Sequence, residues 1–190
     1  MAERYYRIEQ DMSRKRWFLE EPLDRNGREV DVWAFTSGDV VDVASPLQLQ
    51  VDVAGPPLNS TLGPFEIPVV TEAIGTRLAA VAPDDLQRIP ARIKGTPGGY
   101  EVLNILTTVP CLDEERSVLK WWGAADSQPE KVGTYRMVRP DMTLLADRIV
   151  RQRLFRVKGW EVALIASEDV KVALEEMDVT GVVFRLLTLR

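Results

Sequence analysis

Apolar and polar positions alternate through Leu47-Gln48-Leu49-Gln50-Val51-Asp52-Val53, four apolar residues against three polar ones. A two-residue period places the two sets on opposite faces of a strand. Shorter stretches of the same kind predict strands at 3–8, 17–20, 88–94, 100–107, 117–122, 134–138, 153–157, 162–166 and 182–187. Arg28 to Phe35 alternates too, with Val30 and Val32 opposite Glu29, Asp31 and Trp33. That pattern predicts a half-buried strand with Trp33 on its wetter face. Turn chemistry punctuates these segments at Asn26-Gly27, between Gly95 and Gly99, at Lys158-Gly159 and at Gly181. Ala54 to Pro68 holds four prolines and two glycines, which predicts an irregular loop.

Only two segments carry the helical period. Thr71 is placed to cap a helix over 72–81, with Glu72 at its positive end and Pro83 beyond its stop; Ile74, Leu78 and Val81 fall on one stripe. Ser167 caps a second over about 168–177, where Val170, Ala173, Leu174 and Met177 recur at i, i+3, i+4 and i+7. Many short strands, two helices and no regular βαβ rhythm predict an α+β fold with a mostly antiparallel sheet. The 190 residues suit one domain spanning 1–190.

Composition removes much chemistry. There is no histidine, so Ser-His-Asp and Cys-His catalysis and histidine-bound metals are excluded. One cysteine, Cys111, excludes an intrachain disulfide and a cysteine metal cluster; after Pro110 and in apolar surroundings it reads as a buried thiol. No glycine loop has the spacing that cradles phosphate. No cofactor or metal is therefore expected. The net charge of −5 is the wrong sign for gripping a nucleic-acid backbone and suits a basic protein partner. No apolar run approaches the ~20 residues that span a bilayer, and no export signal follows Met1-Ala2-Glu3-Arg4, so a cytoplasmic protein without membrane contact is expected.

The remaining catalytic patterns are weak. Ser117-Val118-Leu119-Lys120 has S-x-x-K spacing, but a strand turns positions three apart to opposite sides. Pro140-Asp141 with Asp169-Val170-Lys171 resembles a metal-nuclease signature, yet its D-x-K falls in the first turn of a predicted helix. Arg148, Arg151, Arg153, Arg156 and Lys158 read as a charged strand edge. The five tryptophans are a better lead. Trp121 and Trp122 are adjacent, so in a strand one faces the core and the other outward; the outward one, together with Trp33, is a candidate partner anchor.

Several segments, in order, resemble one family. They are Trp17; Gly27-Arg28-Glu29-Val30-Asp31-Val32-Trp33; Pro68-Val69-Val70; Ala82 to Pro90; Tyr100-Glu101-Val102-Leu103-Asn104; Val109-Pro110-Cys111-Leu112-Asp113; Trp122; Gly159 to Glu168; and Val179 to Phe184. With these the chain resembles the bacterial polymorphic-toxin immunity family numbered eleven, formerly a domain of unknown function. The resemblance implies a small α+β protein that binds and neutralises a cognate toxin made by the same cell. It carries over no catalytic residue. The expected function is steric occlusion of that toxin. The alternatives are a divalent-metal-dependent nuclease using Asp141 and Asp169, and a self-associating scaffold protein; self-association is left open.

Overall fold

Glycine-rich turn chemistry between residues 95 and 99 folds two alternating segments onto each other, and around this hairpin the first of two large sheets assembles. The structure is a computed structural model that describes residues 3–12 and 16–190. Met1 and Ala2, at the head of the segment read for an export signal, lie outside the described residues. In chain order the elements are β1 (Tyr5–Gln10), β2 (Phe18–Leu19), β3 (Leu47–Leu49), β4 (Val51–Val53), β5 (Ser60–Leu62), β6 (Pro68–Thr71), α1 (Glu72–Val81), β7 (Leu86–Ile93), β8 (Tyr100–Ile105) and β9 (Thr108–Val109). They continue with β10 (Leu119–Trp121), β11 (Tyr135–Val138), β12 (Thr143–Leu144), β13 (Leu154–Val157), β14 (Trp160–Ser167), α2 (Glu168–Glu175), β15 (Val182–Leu186) and β16 (Thr188–Leu189).

One five-stranded sheet runs β3-β7-β8-β6-β5 and the other β15-β1-β14-β13-β9, with two-stranded pieces β2-β4, β10-β11 and β12-β16. Most pairings are antiparallel; β3 with β7, β13 with β9 and β12 with β16 are parallel. The fold is α+β with mostly antiparallel sheets. No helix among the described residues is long and apolar enough to cross a membrane.

Strand alternation gives each large sheet two buried faces. Val70, Leu103 and Ile105 from the first, and Ile8, Leu154, Leu164 and Ala166 from the second, share one core with Ile74 and Leu78 of α1 and Val170 and Leu174 of α2. The opposite face of the first sheet, through Ile89, Ala91, Ile93 and Val102, packs on the chain from Trp17 to Phe65. The opposite face of the second, through Phe155, Val157, Ala163 and Ile165, packs on Val109 to Ile149. The two sheets are also tied by Asp85, just before β7, whose carboxylate accepts hydrogen bonds from Arg153 N (2.8 Å), Leu154 N (3.1 Å) and the Thr107 hydroxyl (3.1 Å).

Both predicted helices are present. α1 has the predicted bounds, and Thr71 holds its N-cap position, though the hydroxyl makes no capping bond. Ser167 does cap α2, accepting from Val170 N. That helix ends two residues before the predicted 177, in a turn that Met177 N closes onto Leu174 O. Gly75 in α1 has a packing reason: a Cβ there would collide with Glu101, whose carboxylate is held bidentately by Arg88 (2.8 Å for both bonds).

Four details differ from the pattern. Residues 28–35 form no strand. Asp31 accepts from Trp33 N and starts a 3-10 turn, Val32–Thr36, which puts Val32 and Phe35 on one buried side because positions three apart eclipse. The alternating run at 47–53 divides at Gln50, since β3 pairs with β7 and β4 with β2. The proline-rich loop contains β5 and a 3-10 turn, Pro64–Glu66. Arg156 does not sit on a charged edge: β13 is flanked by β14 and β9, and this side chain is fully buried.

Candidate partner-binding surface

Trp33 is thrown outward by the geometry that buries its neighbours. Val32 and Phe35 anchor the 3-10 turn inward, and Trp33 is left 59% exposed, its ring 4.3 Å from that of Phe65. Phe65 and Glu66 follow Pro64 with positive φ (57° and 54°). Such backbone costs a bulky L-residue about 1–2 kcal/mol, and it persists only where the surroundings over-determine it. Here two arginines do so. Arg7 Nη2 donates to Glu66 Oε1 (2.9 Å), and Arg156 Nη2 donates to the Glu66 carbonyl (3.1 Å). Burial raises the Glu66 carboxyl above its ordinary range, with Arg7 opposing the shift.

Arg156 also donates through Nη1 to the Glu161 carbonyl (2.6 Å). Burial lowers its pKa to about 10 against the opposing charges of Glu66 and Glu161, which leaves it charged at neutral pH. Glu161 Oε1 in turn accepts from Gly159 N (2.6 Å) in the β13–β14 turn. Gly159 lies against the Tyr135 ring, whose centroid is 4.5 Å from that of Trp121. Contacts thus run without a break from Trp33 through Phe65, Glu66, Arg156, Glu161, Gly159 and Tyr135 to Trp121.

The adjacent Trp121 and Trp122 were expected to divide between core and solvent. Neither is buried: Trp121 is 44% exposed and Trp122 half-buried. β10 and β11 form a sheet of two strands, and Trp122 lies just past the end of β10. Its ring is covered by Lys131 and Arg136, 5.3 and 4.9 Å from the centroid, and Arg136 is held by Asp126 (2.7 Å).

The catalytic patterns come apart. Ser117 exchanges hydrogen bonds with the backbone of Thr143, so its hydroxyl serves the β-structure and not Lys120. Asp141 pairs with Arg139, Asp169 with Arg153 and Lys171 with Glu175. Among the described residues no group of three or more acidic or cysteine side chains is arranged to hold a metal. Two open clefts, of about 740 Å³ beside Asp85 and about 1250 Å³ beside Arg92, have mixed polar and apolar linings; the hydroxyl–carboxylate pair in the first, Thr107 on Asp85, is tied into the fold, because the same carboxylate accepts from the Arg153 and Leu154 amides. Cys111 is fully buried, as expected, and burial pushes its thiol up to about 12. The sequence reading missed Phe65, Glu66 and Arg156. The first two had a local signal in Gly63-Pro64, which forces a turn; nothing local marks Arg156, whose burial follows from strand order.

A family model described as "Immunity protein family (Imm11)" matches residues 60–187, more than half of the chain. The match runs from β5 to just beyond β15 and includes Trp121 and Trp122; Trp33 precedes it. No curated protein matches the chain.

Proposed function

The chain belongs to the Imm11 immunity protein family, and from that premise we propose that it binds a cognate toxin in the cytoplasm of the cell that makes both and blocks it by steric occlusion, with no catalysis of its own. The observation that carries the proposal is the pairing of that membership with exposed aromatic anchors on a surface that holds no reactive constellation among the described residues. Trp33 on Phe65 and Trp121 on Tyr135 are the exposed anchors in this reading, with the half-buried Trp122, under Lys131 and Arg136, beside them. Each is stiffened by a neighbouring ring or cation, so little side-chain freedom is lost on contact. A standard interface buries ~800 Å² per partner, and nanomolar affinity requires about −12 kcal/mol, most of it from a few such residues.

Co-expression tests this reading. The toxin domain encoded beside this chain kills when expressed alone, and the chain restores growth. A toxin that stays lethal in the presence of the folded chain removes the proposal.

A further inference from the structure

β10 and β11 pair only with each other, and no residue from Lys120 to Thr134 is buried. The hairpin nevertheless has a firm base. Arg139 N donates to the Val118 carbonyl, Ser117 is tied to Thr143, and Tyr135 rests on Gly159. It is an arm on a fixed footing.

Its charge is opposite to that of the rest of the molecule. Residues 116–139 hold five basic groups (Arg116, Lys120, Lys131, Arg136, Arg139) and two acidic ones (Asp126, Glu130), a net of +3 on a chain of −5. The remainder therefore carries −8. Arg116, Lys120 and Lys131 form no ion pair with any described residue. The acidic triplet at the base makes no ion pair with them: Arg190 pairs with Asp113 and Glu115 (3.2 and 2.9 Å), and the Tyr135 hydroxyl donates to Glu114. Val118, Trp121 and Val132 add 57%, 44% and 47% exposed apolar side chains to the same arm.

Unpaired cations around exposed apolar groups fit a surface that is acidic and concave. We propose that the β10–β11 arm is the part of this chain that enters an acidic cleft of the toxin, with Trp121 as its apolar anchor and Arg116, Lys120 and Lys131 facing carboxylates. This deepens the immunity reading and rests on it. The separation of +3 from −8 orients the approach, arm first, toward a negative cleft. Basic and aromatic groups together also suit single-stranded nucleic acid. Here the Trp122 ring that a base would stack on is already covered by two cations.

The test is binding of the full chain to the inactivated toxin domain encoded beside it, at low and moderate salt. Arg116→Glu/Lys120→Glu changes two arm cations that hold nothing in the fold. Arg25→Glu/Arg92→Glu changes two unpaired cations elsewhere and serves as control. The arm pair is expected to weaken binding ~30-fold or more, chiefly in the association rate, with Trp121→Ala weakening it by a similar factor through faster dissociation. The control stays within about threefold of the wild type, and all variants keep its melting temperature within a few degrees. Tight wild-type binding that the arm variants leave unchanged, or that the control weakens equally, overturns the arm proposal while the immunity reading stands. A wild-type chain that does not bind the toxin overturns both. Capture of a labelled 20-nucleotide single strand of DNA by the wild type, lost in the arm pair, also overturns it and reassigns the arm to nucleic acid.

Discussion

Gly159 and Tyr135 are in van der Waals contact across the turn that joins β13 to β14, so close that a Cβ on Gly159 would lie 2.9 Å from the ring. Gly159 also has φ +85°, where an L-residue is strained. The contact links the floor of the second sheet to the arm, because the other side of the Tyr135 environment is Trp121. Gly159→Ala therefore costs stability twice, by backbone strain and by displacing the ring. A loss of about 2–3 kcal/mol is expected in urea denaturation, with a shift in tryptophan emission that a remote destabilising substitution does not produce. An unchanged midpoint removes this account of the arm's footing.

Asp85 joins the two large sheets through two backbone amides and a hydroxyl. Asp85→Ala orphans the Arg153 and Leu154 amides, and the Leu154 bond is buried. The expected loss is about 3 kcal/mol, with Asp85→Asn closer to about 1 kcal/mol because one oxygen still accepts. If both substitutions cost the same few tenths as a surface change, the sheets are held by apolar packing alone.

Alkaline pH acts through the acids that the fold keeps protonated. Burial raises Cys111 to about 12 and Tyr135 to about 12, the latter helped by Glu114; burial also raises Tyr5 and Tyr100, and a hydrogen bond to Glu168 raises Tyr6. Each folded value lies above the unfolded one, so each group binds its proton more tightly in the native state. Their contribution is complete below pH 9, the ordinary thiol value, and is lost as pH rises toward 12. Tyrosinate absorbance at 295 nm should consequently appear together with loss of far-UV ellipticity. Independent titration of the four tyrosines near pH 10 in a still-folded chain contradicts the assignment.

Local order was legible wherever one physical rule decided it. The 3.6 period and flanking caps located α1 and α2, and the Gly95–Gly99 turn located the β7–β8 hairpin. Patterns failed where partners remote in sequence decided. Val32 and Phe35 satisfy alternation poorly and a three-residue spacing well, and only the core they enter selects the 3-10 turn. Arg156 looked like an edge charge because strand order is invisible in a linear pattern; β9 on one side and β14 on the other bury it. The candidate surface was legible as three tryptophans and no further. Alternation placed Trp33 outward correctly but for the wrong element, and it expected one of Trp121 and Trp122 in the core, whereas the more covered of the two, Trp122, is half-buried under Lys131 and Arg136.

The claim that this molecule acts through its exterior is tested most directly by titrating the purified chain into a fixed amount of active toxin and following the toxin's own reaction. Occlusion predicts a straight-line fall in activity that reaches zero at the stoichiometric point of a defined complex, with the toxin recovered chemically intact. Complete inactivation by a small fraction of an equivalent, or a toxin recovered covalently altered, would show turnover and contradict the account.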